Sequence, residues 1–349
     1  MQKLLNKINK KAITNLLLMV VPVGLVVYFL MSENGLVDLI ENASTFNWWF
    51  LALGLFCQLA NVGIDAYSLY KFTNNYDKAY TFAQSLKTTV VGQFFSVVTP
   101  GAVGGQPMQI YCMNKQGVDT GVSSSSLVQK FLVYQTTITI YSLIAFVCNF
   151  DLFRGKSVGL MMSLAAFGFI SHAVVILFVY MFSFSKKLTS KLINRIFKML
   201  SKLKLIKEPE KKAESVKTQL EFFHESNIKL YKNKKMLVQV VALTVAQLTL
   251  IFVIPYMVYR AFNFIGADPF DMITGQSFVT MVSSFMPLPG GSGAAEGSFY
   301  VFFAMFFTSE TIKSAILVWR IITYFINIII FAPFSNVSRI KSNKPSKNI

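Results

Sequence analysis

The sequence predicts an all-α polytopic membrane protein, with about six full transmembrane helices and two Pro/Gly-broken re-entrant hairpins in an inverted repeat. Three observations carry that prediction. Of the 349 residues, 54% are hydrophobic and only 14% are charged, whereas a soluble domain holds about 45–50% apolar and about 25% charged residues. The mean hydropathy of +0.52 points the same way. The Lys and Arg residues gather in blocks beside apolar stretches, and two apolar stretches are interrupted by Pro and Gly. Cys57, Cys112 and Cys148 all lie inside apolar stretches, which excludes a disulfide framework. Two His and three Cys, none clustered, leave no basis for a metal site, and no cofactor is expected.

Candidate spans cover residues 13–31, 47–70, 127–149, 158–184, 236–259 and 312–334, each near the length of about 20 apolar residues that crosses a bilayer. The first contains Pro22 and has no A-x-A-like cleavage site before Glu33, so it is expected to remain as an anchor. Residues 88–112 and 272–308 are apolar but broken in the middle, and are expected to enter and leave on one side. The whole chain, 1–349, then forms one membrane domain. Its halves are 1–184 and 236–335, joined by a basic linker, 185–235, and followed by a basic tail, 336–349. Leu188, Leu192, Ile196 and Leu200 give the linker an amphipathic spacing, as in helices that lie on a membrane surface.

Charge orients this arrangement. The net charge of +17 would suggest nucleic acid in a soluble protein. Here Lys3, Lys7, Lys10 and Lys11 precede the first span, 15 Lys and Arg against five Glu fill 186–235, and Arg339, Lys341, Lys344 and Lys347 close the chain. With both termini inside, 28 of the 33 basic residues fall on the inner side, which satisfies the positive-inside rule. No nucleic-acid partner is expected.

The two interruptions share a motif. Pro-Gly-x-x-Gly occurs at Pro100, Gly101 and Gly104, followed by Gly105 and Gln106, and again at Pro289, Gly290 and Gly293. A Gly-Gln pair, Gly92-Gln93 or Gly275-Gln276, precedes each. Interrupted segments at matching places in two opposed halves mark a site near the membrane midplane. Broken helices expose backbone groups that hydrocarbon tolerates only beside protein or water, and half-helix N-termini attract anions.

The stretch from Thr99 to Tyr111, the stretch from Pro287 to Glu296, and Trp319-Arg320 resemble the lysylphosphatidylglycerol synthase transmembrane family. That family includes the membrane half of the multiple peptide resistance factor. The resemblance covers roughly 10–335 and implies a flippase-like lipid module in a bacterial cell membrane. In the full-length resistance factor a soluble aminoacyltransferase domain follows; here it is expected to be absent, since the sequence ends soon after its last span.

Ionisable residues at hydrophobic depth are candidates for function. Glu296 reads either as part of a transport site or as a cap for a half-helix starting near 297. Arg320 reads as its ion-pair partner, as a lipid-phosphate ligand, or as both. Lys130 either snorkels to the inner surface or belongs to the site, and Asp65 is either wetted or paired with Lys71. Arg260 suits interfacial anchoring, and His172 a neutral contact between helices. Gln106, Gln109, Gln129 and Gln135 either line a headgroup path or tie helices together. No phosphate-binding Gly-Lys-Ser/Thr loop occurs and no acid–base constellation stands out, so an enzyme is not expected. The expected function is movement of a phospholipid, glycolipid or polyprenyl-phosphate-linked lipid between leaflets. The expected cargo is an anionic, aminoacylated or glycosylated membrane lipid. The alternative is a membrane subunit or scaffold for a separately encoded lipid synthase or other lipid-modifying enzyme; an oligomer fits either.

Overall fold

The computed structural model describes residues 43–153, 158–187, 189–191 and 233–335, with a few isolated positions between 195 and 228. The predicted span 13–31, most of the basic linker and the tail lie outside the described residues. Among those described, the chain is helical and contains no strand.

Eleven helices carry the argument: α1 (Trp48–Asn74), α2 (Phe82–Val98), α3 (Gly105–Lys115), α4 (Thr120–Cys148), α5 (Val158–Phe184), α6 (Lys234–Phe252), α7 (Ile254–Ala261), α8 (Pro269–Ser283), α9 (Ala294–Phe303), α10 (Thr311–Arg320) and α11 (Ile326–Phe331). Five helical stretches are long and apolar enough to cross a membrane: Trp48–Asn74, Thr120–Cys148, Gly159–Ser183, Lys234–Ala261 and Thr311–Phe334. They match five of the six predicted spans. Two carry local irregularities. Pro255 lacks the N–H that would continue α6 into α7, and a π-helical turn at Ile321–Phe325 joins α10 to α11.

The helix starts follow local chemistry. Asn47, Asp119, Asn233 and Asp268 each accept a backbone N–H from the first turn of α1, α4, α6 and α8. Thr81 and Gln84 form a reciprocal capping box on α2. Each such cap is worth about 0.5–2 kcal/mol. Between α1 and α2, burial pushes the Tyr80 phenol above its ordinary range, so it stays protonated and donates to Thr88.

Both predicted interruptions are helix–break–helix units. In the first, α2 ends at Val98 and α3 begins at Gly105; in the second, α8 ends at Ser283 and α9 begins at Ala294. The two turns share a backbone conformation. Thr99 and Leu288 are extended, and each motif proline is followed by two residues of positive φ. These are Gly101 (59°) with Ala102 (56°), and Gly290 (61°) with Gly291 (65°). The turns pack on each other, and α2 touches the second turn. Gly104 does not bend the chain, although it holds the motif position that Gly293 holds in the second turn. Its backbone is ordinary helix (φ −73°), and what it provides is room: a Cβ there would lie 2.7 Å from the Thr99 Cγ2. Gly293 does turn the chain, with φ +86° and open space around it.

Around these turns α1 packs against α2, α4, α6 and α7, while α8 packs against α4, α5, α6 and α9. The largest core cluster joins α7 to α10 through Phe278, Phe299, Phe302, Phe303 and Trp319. The outer faces are apolar and exposed, as at Ile140, Ile144, Ile170, Leu177 and Val238. This is the reverse of a soluble surface.

Gly290 is the position most sensitive to a side chain. A Cβ there would meet the Tyr324 ring at 2.0 Å, and the left-handed backbone would cost about 1–2 kcal/mol besides. Gly290→Ala is expected to lower the melting temperature in detergent strongly. Gly63→Ala, in α1 with nothing within 4 Å, is expected to leave it unchanged or raise it.

Candidate functional site

The polar side chains of the apolar helices converge on one cavity of about 460 Å³. Each helix contributes a stripe at helical spacing. α1 gives Gln58, Asn61, Asp65 and Ser68, and α8 gives Gln276, Thr280 and Ser283. Arg320, Thr323, Tyr324 and Asn327 follow the same rule through the π turn. Residues three and four apart share a helix face, so the cavity wall is written as a repeat along each helix. α2 and α3 add Gln93, Gln106 and Gln109; α6 adds Thr244 and Gln247.

Two ion pairs sit in this setting. Arg320 Nε donates to Glu296 Oε1 at 2.6 Å, and Arg320 Nη1 donates to the Gly290 carbonyl at 3.0 Å. The guanidinium also lies over the rings of Trp319 and Tyr324, 5.1 and 5.3 Å from their centroids, a favourable placement for a cation. Glu296 uses its other oxygen to accept the Gly293 N–H at 2.6 Å. It is both ion-pair partner and cap, and α9 starts at Ala294, three residues before the predicted start near 297. The side chains of Arg320 and Glu296 are only 9% and 13% exposed.

The second pair is Lys130 with Asp65. Lys130 Nζ donates to both carboxylate oxygens at 2.8 Å, and Gln247 Nε2 donates to Asp65 Oδ1 at 3.4 Å. This decides one reading and corrects another. Lys130 turns inward rather than snorkelling, and the partner of Asp65 is Lys130 rather than Lys71, which donates to Gln239. Lys130 lies 30 residues after Pro100, and Arg320 lies 31 after Pro289. A cation therefore stands at nearly the same distance beyond each turn. Pro107 follows the first turn where Glu296 follows the second, and the carboxylate paired with Lys130 comes from α1.

Of the residues singled out from sequence, Arg320, Lys130, Asp65, Gln106, Gln109 and Gly290 line the cavity. Glu296 touches the site through Arg320. Pro100, Gly101, Gly104, Gly105, Pro289 and Gly293 build the turns without lining it. The Gly104 N–H is taken by the Thr99 hydroxyl, and the Gly293 N–H by Glu296. Arg320 Nη2 is a buried donor left without a partner. His172 contacts Gln135 across α4 and α5, as a neutral helix tie would. Arg260 donates to Tyr256 and lies over Phe50. Asp65, Asn61, Gln247, Gln276 and Tyr324 were not singled out as a group, although the α1 spacing carried the signal.

α4 separates two environments. Lys130, Phe131 and Tyr134 face the polar cavity, while Leu132, Thr136, Ile140 and Ile144 face an apolar groove completed by Val241 and Val245 of α6.

The family described as the lysylphosphatidylglycerol synthase TM region matches residues 13–330. The chain belongs to that family. Within it, the Archaeoglobus fulgidus UPF0104 membrane protein is 25% identical over 301 residues, covering 85% of this chain and 88% of that protein. No solved structure matches. The family match, together with five apolar helices of spanning length, makes this a multi-pass membrane protein. The match is to the membrane region of the family and covers no catalytic domain.

Removing one partner of a buried ion pair typically costs about 3–5 kcal/mol, because the other charge is stranded. Arg320→Met is therefore expected to lower thermal stability strongly, stranding both Glu296 and the Gly290 carbonyl. Glu296→Met with Arg320→Met removes both charges and is expected to recover the part of that loss that comes from the stranded carboxylate, while the Gly290 carbonyl and the Gly293 N–H stay unpaired. A double variant no more stable than the single one would mean that a stranded charge is not what the single variant suffers from.

Proposed function

We propose that the chain is a lipid transporter of the flippase kind, carrying a phospholipid, glycolipid or polyprenyl-phosphate-linked lipid between leaflets without ATP. The observation that carries this reading is a buried arginine with an unused donor, Nη2 of Arg320, at the wall of a polar cavity of about 460 Å³ inside apolar helices. That volume lies within the range of about 300–1,000 Å³ typical of small-molecule sites. Guanidinium is suited to phosphate oxygens through its planar fork. Arg320 lies about 14 Å along the helix axis from Thr311 at 1.5 Å per residue, too deep for a purely interfacial role.

In this reading the headgroup occupies the cavity and the acyl chains lie along the apolar groove on the other face of α4. The two helix–break–helix units act as re-entrant hairpins of an inverted repeat, the first entering from inside and the second from outside. The shared conformation of their turns and the matching positions of Lys130 and Arg320 support that symmetry. With the N-terminal span included there are six crossings, two halves (1–184 and 236–335), and both termini in the cytoplasm of a bacterial cell. Family membership supports a lipid-handling role.

Reconstitution of the pure protein in liposomes with fluorescent phosphatidylglycerol tests the proposal. Quenching by an impermeant reductant is expected to exceed the outer-leaflet fraction in proteoliposomes alone. Arg320→Lys keeps the charge and removes the fork, and is expected to cut exchange several-fold at unchanged protein level. Wild-type protein that gives no exchange without a second enzyme would favour a scaffold instead. For topology, single Cys probes at 205–215 in a Cys-free background are expected to label only from inside.

A further inference from the structure

The cavity wall has a hydrogen-bonding imbalance that restricts its headgroup. Five of its side chains, all more than nine-tenths buried, hold an atom with no partner. Arg320 Nη2 and Trp319 Nε1 are donors, Asn61 Oδ1 and Gln276 Oε1 are acceptors, and the Ser68 hydroxyl can be either. Buried polar atoms are ordinarily paired, and leaving them unpaired is costly. A ligand that fits must both accept and donate.

The carboxylates, by contrast, have a partner on every oxygen. Asp65 Oδ1 accepts from Lys130 and Gln247, and Asp65 Oδ2 from Lys130. Glu296 Oε1 accepts from Arg320, and Glu296 Oε2 from the Gly293 N–H. Among the described residues Asp65 is the one carboxylate at the cavity wall. Much of the remaining wall is carboxamide, at Gln93, Gln106 and Gln109 among others. A carboxamide sets a donor beside an acceptor, and vicinal hydroxyls match that pattern because each also donates and accepts.

We infer that the cavity takes the headgroup of an anionic, polyhydroxylated lipid, in which phosphate carries glycerol, inositol or a sugar, and that it discriminates against aminoacylated headgroups. The phosphate accepts from Arg320 and Trp319. Hydroxyls donate to Asn61 and Gln276 and bridge the amides. An ammonium can donate to the same two oxygens, but its charge meets two cations and no carboxylate oxygen without a partner. Burying an uncompensated charge there is unfavourable. This inference rests on the lipid-transport reading and names the class of its cargo.

The test separates binding from exchange. Full-length protein in detergent is titrated calorimetrically with dioctanoyl phosphatidylinositol, dioctanoyl phosphatidic acid and dioctanoyl lysyl-phosphatidylglycerol. Phosphatidylinositol is expected to bind at least about tenfold tighter than the other two, since sites built to hydrogen-bond hydroxyls reject ligands lacking them. Asn61→Leu with Gln276→Leu is expected to bring phosphatidylinositol down to the affinity of phosphatidic acid. Should that variant fail to fold, Gln276→Glu supplies the missing carboxylate and is expected to shift preference towards lysyl-phosphatidylglycerol. Wild-type affinity for lysyl-phosphatidylglycerol equal to or above that for phosphatidylinositol overturns the inference, even where exchange persists. Displacement of the lipid by an equal concentration of free inositol phosphate overturns its lipid part. Selective phosphatidylinositol binding without leaflet exchange sinks the transport reading and leaves the headgroup assignment standing.

Discussion

A helix broken among apolar spans must find partners for the backbone groups it frees, and that requirement organises this protein. At the first break, the Thr99 hydroxyl donates back to the Phe95 carbonyl and accepts the Gly104 N–H. The Val97 carbonyl is met from the other half of the chain by the Tyr324 hydroxyl at 3.4 Å. At the second break, the Gly290 carbonyl is met by Arg320 and the Gly293 N–H by Glu296. Each unpaired group would cost several kcal/mol in lipid. The residues that close these bonds are therefore as structural as the core, and three of them also bear on the cavity. Tyr324 and Arg320 line it, and Glu296 holds Arg320 in place.

That arrangement explains why the helices are polar inside and apolar outside. In water, the hydrophobic effect drives apolar stripes together. Between lipid-solvated helices, packing and hydrogen bonds take over that role. The amide and hydroxyl stripes of α1, α8 and the π-broken last helix thus both associate the bundle and wet its centre. Gln58 donating to Asn327 at 3.0 Å is one such tie, between the first described helix and the last. The π turn at Ile321–Phe325 fits the same requirement. An extra residue in a helix re-aims the turns beyond it, and here Arg320, Thr323, Tyr324 and Asn327 remain on one face across the irregularity.

Much of this was legible in the sequence, for identifiable reasons. Apolar length marks spans, and Pro-Gly marks breaks, because both signals are local. The five described spans and both breaks lie where composition put them. Arg320 and Glu296 stood out because ionisable residues are rare at such depth. What was not legible was partnership. Lys130 and Asp65 are 65 residues apart on helices whose contact depends on the whole bundle. The polar face of α1 was readable in principle: Gln58, Asn61, Asp65 and Ser68 recur at three- and four-residue steps. In an apolar span such residues are easily read one by one as helix ties, and only their alignment distinguishes a lining from a scatter. The two similarly shaped turns hid another distinction. Gly101, Gly290 and Gly291 serve through positive φ, whereas Gly104 serves through close packing, and a shared motif does not say which.

Under the proposed function, the two paired cations would keep such a cavity from being too strong a site. A bare arginine or lysine at this depth would be expensive to hold, and would bind any anion too tightly to release it. Pairing each with a carboxylate removes most of the net charge while leaving particular donors free. Arg320 commits Nε and Nη1 and keeps Nη2. An arriving anion therefore gains a directed hydrogen bond from a cation already neutralised by Glu296, without breaking the pair that stabilises the second break. The same carboxylate that caps α9 thus also sets how strongly the cavity can hold an anion. In the proposed transport reading, the cargo has to be bound well enough to leave water and weakly enough to leave again, and a half-used guanidinium suits both conditions.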